Sequence, residues 1–382
     1  MNKKTILFVS NTYFPHYSGG VVQSIVATRD MLQEQGWRVP LVTLDFSGTQ
    51  KRFCETQQIY YLHCAIRFMY KQNYMAVPFF AQHYLATIIK KEQPLIIHVH
   101  HPFLLGVAAL KCAIKYNIPI VFTYHSMYEH YLYYIPLSLI RRCVGLLLPV
   151  HIRQFCNRVN AIIAPSNSVQ HYLFSRKISK NIITLPSPIR NIFRKIAPLS
   201  PKNESEPFLL LTVSRFRKEK NISFLLNVFA SFKCFPFELN LIGYGSDFIA
   251  LKDEAYNILK ISPNKIKFFI KPEENILIEM YKKAAVFIFA SQLETQGLVF
   301  AEAMACGTPV IALDGPGARD IIIDGNNGFL VHSQDEMKER ILHIYINKNV
   351  RMQLQRGAQR TAKEYFSDAI SKKLINCYQR LV

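Results

Sequence analysis

The sequence predicts an α/β protein of two doubly wound, Rossmann-like parallel-sheet domains in tandem. Three observations carry this. The chain has 382 residues, more than one ordinary hydrophobic core serves. Short apolar runs of strand length alternate with segments of helical composition, the pattern of a parallel sheet wrapped by helices. The alternation stops at Ile196–Pro207 (IAPLSPKNESEP), rich in Pro, Ser and charge, and then begins again. The reading is a first domain over 1–195, a linker over 196–207, a second domain over 208–365, and a C-terminal helix over 366–382 packing back toward the first domain. Two such sheets in series predict a cleft between domains.

In the first half, Thr5–Val9 reads as a strand and Ser10–Gly20 (SNTYFPHYSGG) as a loop. A helix follows over Val21–Gln35, ended by Gly36. Gly19 and Gly20 fall just before that helix, where backbone can approach a phosphate or a sugar. A plain turn is the other reading, since no G-x-G-x-x-G fingerprint is present. Arg38–Leu44, Leu95–Val99, Pro119–Thr123, Asn160–Ala164 and Ile182–Leu185 read as further strands. Ligands of such sheets sit at the carboxyl ends of strands. Two polar clusters fall there: His98, His100 and His101, and then Tyr124, His125 and Ser126. The first lacks a nearby third ligand at zinc spacing, so no metal is expected. His125 is a candidate ligand residue or a buried structural histidine.

In the second half, Phe208–Val213 is a strand, and the loop Ser214–Lys220 (SRFRKEK) leads into a helix from about Ile222. Arg215 and Lys220, with helix N–H groups behind them, are placed to hold a diphosphate, or are solvated surface charge. Phe237–Ile242 is a strand ending in Gly243-Tyr244-Gly245, which lacks the rest of a dehydrogenase fingerprint. Lys265–Ile270, Val286–Ala290 and Pro309–Ala312 are strands, and Leu298–Cys306 is a helix closed by Gly307. Gly315-Pro316-Gly317 and a turn over Asp324–Leu330 precede the final helices. Between the last two strands of that run stand Glu294 and Glu302, seven residues separating them. Both are positioned to face one cavity at a strand end, with Gly297 letting backbone N–H groups approach a ligand. The alternative is a Ser291-x-x-Glu294 capping box and an ordinary helix glutamate.

The net charge is +20, and it is uneven. Residues 1–207 hold 23 Lys and Arg against 8 Asp and Glu; the remainder holds 23 against 18. A basic first half suits nucleic acid, anionic lipid or a generally basic surface. Two segments there mix apolar residues with cations: Arg67–Lys91, and Tyr131–Arg158 with IPLSLIRRCVGLLLPVHIRQF. The second suits a helix lying on a membrane surface, or a buried helix with snorkelling arginines. No apolar run reaches the roughly 18 residues of a span. The first nine residues read as a strand, not a secretory signal. Eight cysteines without a C-x-x-C pair read as reduced thiols of a cytosolic protein.

Taken in order, these segments resemble a known family. The glycine-rich first loop, the histidine after a strand, SRFRKEKN, GYG, ETQGLVFAEAMACGTPVIA and DGNNGFLV are similar to the family-4 retaining glycosyltransferases of the GT-B fold. The resemblance covers nearly the whole chain. Within the family, Thr123–Ile135 (TYHSMYEHYLYYI) looks most like bacterial enzymes that glucosylate diacylglycerol, whose motif reads T-Y-H-T-M-Y-E-D-Y. Ser126 and His130 replace the Thr and Asp of that motif, and Gln296 stands where many relatives carry Phe or Tyr.

The resemblance implies transfer of a hexose, glucose foremost, from a nucleotide-diphosphate sugar such as UDP-glucose to a lipid hydroxyl such as that of diacylglycerol. Retention at the anomeric carbon is implied, as is action at the inner face of the cell membrane, reached through the basic half. Arg215 and Lys220 would bind the diphosphate, Glu302 the ribose hydroxyls and Glu294 the transferred sugar. Gly19, Gly20 and Gly243 belong to the same donor site. The backbone of Gln296, Gly297 and Leu298 would complete it, and His125 would touch the sugar near the reacting carbon. The catalytic set is then His125, Glu294, Arg215 and Lys220. No D-x-D sequence is present, so neither metal nor cofactor is expected. A polyprenyl-linked or lipopolysaccharide acceptor is the alternative within the family. A nucleic-acid partner rests on charge alone and has no motif to support it.

Overall fold

The computed structural model describes residues 4–48, 52–70, 73–135, 137–178, 180–194, 196 and 207–382. The proposed linker falls almost wholly outside them. Contacts divide the chain into two units: residues 1–188 with 367–382, and residues 189–366.

The first unit holds an eight-stranded sheet. Its order is Ile182–Thr184, Ala161–Ala164, Ile120–Thr123, Ile96–Val99, Ile6–Val9, Leu41–Asp45, Ile59–His63 and Phe53–Cys54. All neighbours are parallel except the last pair. The central strands are buried from end to end, because helices cover both faces. This is why they read as continuous apolar runs and not as alternating ones. The helix Ser367–Gln379 belongs here: Ile370, Leu374, Cys377 and Tyr378 pack with Ile6, Phe8, Val22 and Ile25.

The second unit holds a six-stranded, all-parallel sheet. Its order is Ile266–Phe269, Phe237–Ile242, Phe208–Val213, Val286–Phe289, Val310–Leu313 and Gly328–Val331. Counted along this unit, that is third, second, first, fourth, fifth, sixth. The order reverses between the first strand and the fourth, so their carboxyl ends flank a crevice where doubly wound sheets bind ligands.

Two glycine caps fall where the sequence places them. Gly36 and Gly307 have φ of +82° and +71°, a region closed to most side chains. Thr308 N–H donates to Ala303 C=O at 2.9 Å and Gly307 N–H to Met304 C=O at 2.9 Å. Those two bonds make a Schellman closure of the Leu298–Ala305 helix and satisfy its last carbonyls.

Arg67–Lys91, which mixes apolar residues with cations, falls across several elements. Ile66–Tyr70 and Asn73–Val77 form an antiparallel pair outside the main sheet. Ala81–Glu92 is a helix. In Tyr131–Arg158, Ser138–Cys156 is a helix with Pro149 inside it. Leu148, Ile152 and Phe155 bury one face, while Leu139, Leu146, Leu147 and Val150 are exposed on the other. Among the described residues, no helix is long and apolar enough to cross a membrane.

Candidate functional site

Unit two places its site residues on the two strand ends at the reversal. After Val213 the chain runs through Ser214 and Arg215 to a short 3-10 turn, Lys218–Lys220, before the helix Ile222–Ala230. After Phe289 it runs through Ser291 and Glu294 to Gly297, the N-cap of Leu298–Ala305. Lys220 and Glu294 meet across this reversal, the lysine ammonium donating to Glu294 Oε1. Arg215 lies beside them, 3.7 Å from Glu219. Burial pushes the Glu294 carboxyl up. The Lys220 charge and hydrogen bond, with Ser291 and the Arg215 charge, outweigh burial and hold it below the usual carboxylate range.

The capping-box alternative does not form. The N-cap is Gly297, at φ +70°, and among the described residues no side chain caps that helix end. Its leading N–H groups are therefore available to an anion. Gln296, Gly297 and Leu298 form this helix entrance, with Gln296 and Gly297 buried.

Glu302 is not a surface helix residue either. It is 7% exposed, and Tyr281 Oη donates to its Oε2 at 3.1 Å. Burial raises its pKa, against the Arg190 charge and the Tyr281 hydrogen bond. Glu294 and Glu302 thus take different partners: one a cation, the other a buried phenol.

Gly243 closes the Phe237–Ile242 strand by close approach. A Cβ there would meet the Ser214 carbonyl oxygen at 1.7 Å. It shapes the loop that carries Arg215. Gly317 does the same for the other loop. Its N–H donates to the Glu294 carbonyl at 2.8 Å, and a Cβ would meet that oxygen at 2.8 Å. Tyr281, Arg190 and Gly317 are site-shaping residues with no role assigned from sequence. Only Gly317 had a local signal, the Gly-Pro-Gly turn.

In unit one, Gly19 is the N-cap and Gly20 the first residue of the helix Gly20–Glu34. A Cβ at either would meet nothing within 4 Å, so packing does not demand glycine there. The three neighbouring histidines take separate partners. His98 bonds Tyr378 Oη and Thr123 Oγ1, each at 2.7 Å. His101 Nδ1 accepts from Asn11 N–H at 3.3 Å. His100 Nδ1 stands 2.9 Å from Nε2 of half-buried His125. Burial lowers all four pKa values, His98 to about 3 and His101 to about 4. Among the described residues, no group of three His, Cys, Asp or Glu side chains gathers as a metal site.

Comparison with known proteins bears on this arrangement. The family description "Glycosyltransferase Family 4" matches residues 18–190, and "Glycosyl transferases group 1" matches residues 194–361. An alpha-monoglucosyldiacylglycerol synthase of Streptococcus pneumoniae is 31% identical over 350 residues, 88% of this chain and 77% of that protein. The chain belongs to the family-4 glycosyltransferases. A second alpha-monoglucosyldiacylglycerol synthase, from Acholeplasma laidlawii, is 26% identical over 98% of this chain and 96% of its own. The crystal structure of Anabaena HepE in complex with UDP superposes with a TM-score of 0.76 at 16% identity, covering 99% of this chain and all of that one. The fold of this glycosyltransferase is GT-B, as the sequence predicts.

Proposed function

We propose that this glycosyltransferase moves glucose from a nucleotide-diphosphate sugar, UDP-glucose foremost, to diacylglycerol at the inner face of the cell membrane. The observation that carries the donor half is the pairing of Lys220 and Glu294 beside an uncapped helix N-terminus at the sheet reversal. The names of the two synthases support the lipid half. The UDP complex of the Anabaena neighbour supports a uridine nucleotide.

Transfer requires departure of a nucleoside diphosphate and growth of positive charge at the anomeric carbon. Lys220, Arg215 and the N–H groups after Gly297 stabilise the departing diphosphate, which lets the site work without a metal ion. Glu302 accepts from the ribose hydroxyls. Glu294 accepts from sugar hydroxyls and, held ionised by Lys220, stays an acceptor. It orients the sugar and is not a nucleophile, so paired-carboxylate glycosidase logic does not apply. An α-glucosyl product from an α-linked donor is retention. His125, in the first unit, contacts the hexose, and that unit carries the acceptor.

The deciding experiment incubates purified protein with labelled UDP-glucose, UDP-galactose or GDP-mannose and diacylglycerol-containing vesicles, with and without EDTA. The expected product is labelled monoglucosyldiacylglycerol, unaffected by EDTA. Label appearing only on a polyprenyl-linked or lipopolysaccharide acceptor overturns the lipid assignment.

A further inference from the structure

The helix Lys348–Ala362 of the second unit carries none of the donor residues, yet one of its faces lines a cavity of about 990 Å³. At 100° per residue, Gln353, Arg356 and Arg360 fall within an arc of about 60°. Lys363 follows in the short turn after the helix. All four side chains line the cavity, and the three cations are exposed. Arg194 adds a fourth charge from a second helix, Asn191–Arg194. No Asp or Glu is among the described lining residues, while Phe193 and Phe366 give the cavity an apolar part.

This charge is unlike that on the rest of the unit. Elsewhere surface cations meet carboxylates: Lys282 with Glu279 at 2.8 Å, Lys338 with Asp335 at 3.0 Å, Arg319 with Asp314 at 2.7 Å. Among the described residues, Arg356, Arg360 and Lys363 have no ion pair and no side-chain hydrogen bond. Arg356 and Arg360 are four residues apart, a like-charge spacing that destabilises a helix. Attraction to the carboxyl end of the helix accounts for Arg360 in its last turn, but Arg356 lies more than a turn from that end. An anion in the cavity would offset the repulsion.

The chemistry of the lining narrows the anion. Several cations along about 11 Å of chain suit a ligand with two or more negative charges. Guanidinium forks match phosphate oxygens bidentately. The cavity is the size of a small-molecule site, far larger than a phosphate group alone fills, and its aromatic part suits an apolar portion. It is also separate from the donor site. Ala305, which lines it, ends the helix whose other end, at Leu298, is the donor entrance. Those ends are about 11 Å apart.

We propose that this cavity is a second phosphate-binding site, for a ligand joining a phosphomonoester or diphosphate to an apolar portion. The source of that phosphate is a lipid headgroup or a soluble compound. The proposal does not rest on which sugar or acceptor the enzyme uses.

The test titrates the full chain, saturated with UDP to fill the donor site, with pyrophosphate in a calorimeter. Arg356→Ser/Arg360→Ser is compared with Lys372→Ser/Lys373→Ser, which removes two exposed charges from the helix Ser367–Gln379. The first variant should weaken pyrophosphate binding about tenfold or more, and the second should leave it within about twofold. Melting temperature and KM for UDP-glucose should stay unchanged in both. Vesicles of phosphatidic acid in phosphatidylcholine, against phosphatidylcholine alone, identify the source. Displacement of pyrophosphate by the phosphatidic acid vesicles assigns a lipid headgroup, and none assigns a soluble phosphate. Equal weakening in the two variants reduces the effect to net charge and overturns the site. So does wild-type protein that binds neither pyrophosphate nor, through Arg356 and Arg360, the phosphatidic acid vesicles.

Discussion

Lys220 and Glu294 stand 74 residues apart in the chain and form an ion pair at the carboxyl ends of adjacent parallel strands. Each is mostly covered, with side chains 14% and 19% exposed. Each compensates the other's charge where water is scarce. A nucleotide sugar would take over both partners at once, its diphosphate meeting the lysine and its sugar hydroxyls the glutamate. The pair therefore ties the two strand-end loops to each other.

Breaking the pair from either side separates the two roles. Lys220→Ala should raise the donor KM by about tenfold or more, since a charge-assisted contact to phosphate is lost. Glu294→Ala should act mainly on kcat, because the sugar is misoriented while the diphosphate still binds. Steady-state kinetics and donor titration distinguish the two, and full turnover in both variants would remove these residues from the site.

The same pair makes a pH prediction. The Glu294 carboxyl lies below its ordinary value of 4.5 in the folded chain. A depressed carboxylate contributes stability that is present above its unfolded pKa and lost as pH falls through its folded pKa. The melting temperatures of wild type and Glu294→Gln should therefore differ by a constant amount from pH 7 to about 5, and converge below 4.5. A gap that persists unchanged to pH 3 would rule out the ion pair as its cause.

Tyr281→Phe removes the phenol that donates to Glu302 and leaves a buried carboxylate oxygen without its partner. The cost should be about 1–3 kcal/mol. Thr308 bonds the Tyr281 main-chain oxygen, so that anchor survives the change. The expected result is a lower melting temperature together with a several-fold higher donor KM. A variant that loses stability but keeps its KM would place Glu302 away from the ribose.

Gly317→Ala tests whether the Glu294 loop must be held at this height. The added methyl would meet the Glu294 carbonyl oxygen and Cβ at 2.8 and 2.9 Å, and Gln296 C at 3.0 Å. The loop has to move by a few tenths of an ångström, carrying Glu294 with it. Turnover should fall about tenfold or more while the far-UV spectrum stays native. Unchanged kcat would mean that the loop relaxes without displacing the carboxylate.

Much of this was legible from sequence, for physical reasons that also mark where legibility ended. Buried parallel strands are covered on both faces, so Val286–Phe289 and Ile6–Val9 announce themselves as apolar runs. Gly36 and Gly307 follow helical segments at cap positions. The Ser291-x-x-Glu294 spacing matches a local capping signature, yet Lys220, far away in sequence, takes the carboxylate instead. Tyr281 sits near the end of a helix, just before Lys282 and Lys283, and nothing nearby in the sequence signals that its hydroxyl meets Glu302. His98, His100 and His101 look like one cluster in the sequence. Strand geometry sends them to three different partners, which spacing alone does not reveal. The antiparallel pair Ile66–Tyr70 and Asn73–Val77 was missed because several of its apolar residues are exposed, Phe68 and Met69 among them.

The outward face of the Ser138–Cys156 helix gives the last prediction. Leu139, Leu146 and Leu147 are 74%, 71% and 67% exposed, while Leu148, Ile152 and Phe155 hold the opposite face in the core. At 100° per residue the exposed leucines share one side with Val150, and exposed Arg142 and Arg153 lie along its edge. An apolar stripe bordered by cations suits the interface of an anionic bilayer. Leu146→Asp/Leu147→Asp should weaken sedimentation with vesicles containing phosphatidylglycerol by about tenfold or more, each buried leucine being worth about 1.5–3 kcal/mol. Melting temperature should stay unchanged, because neither side chain belongs to the core. Wild-type binding should also fall as salt rises from about 0.05 to 0.5 M, since screening shortens the reach of surface charge. Equal binding to neutral and anionic vesicles would remove the electrostatic part of this docking. Unchanged binding by the double variant would remove the helix face itself.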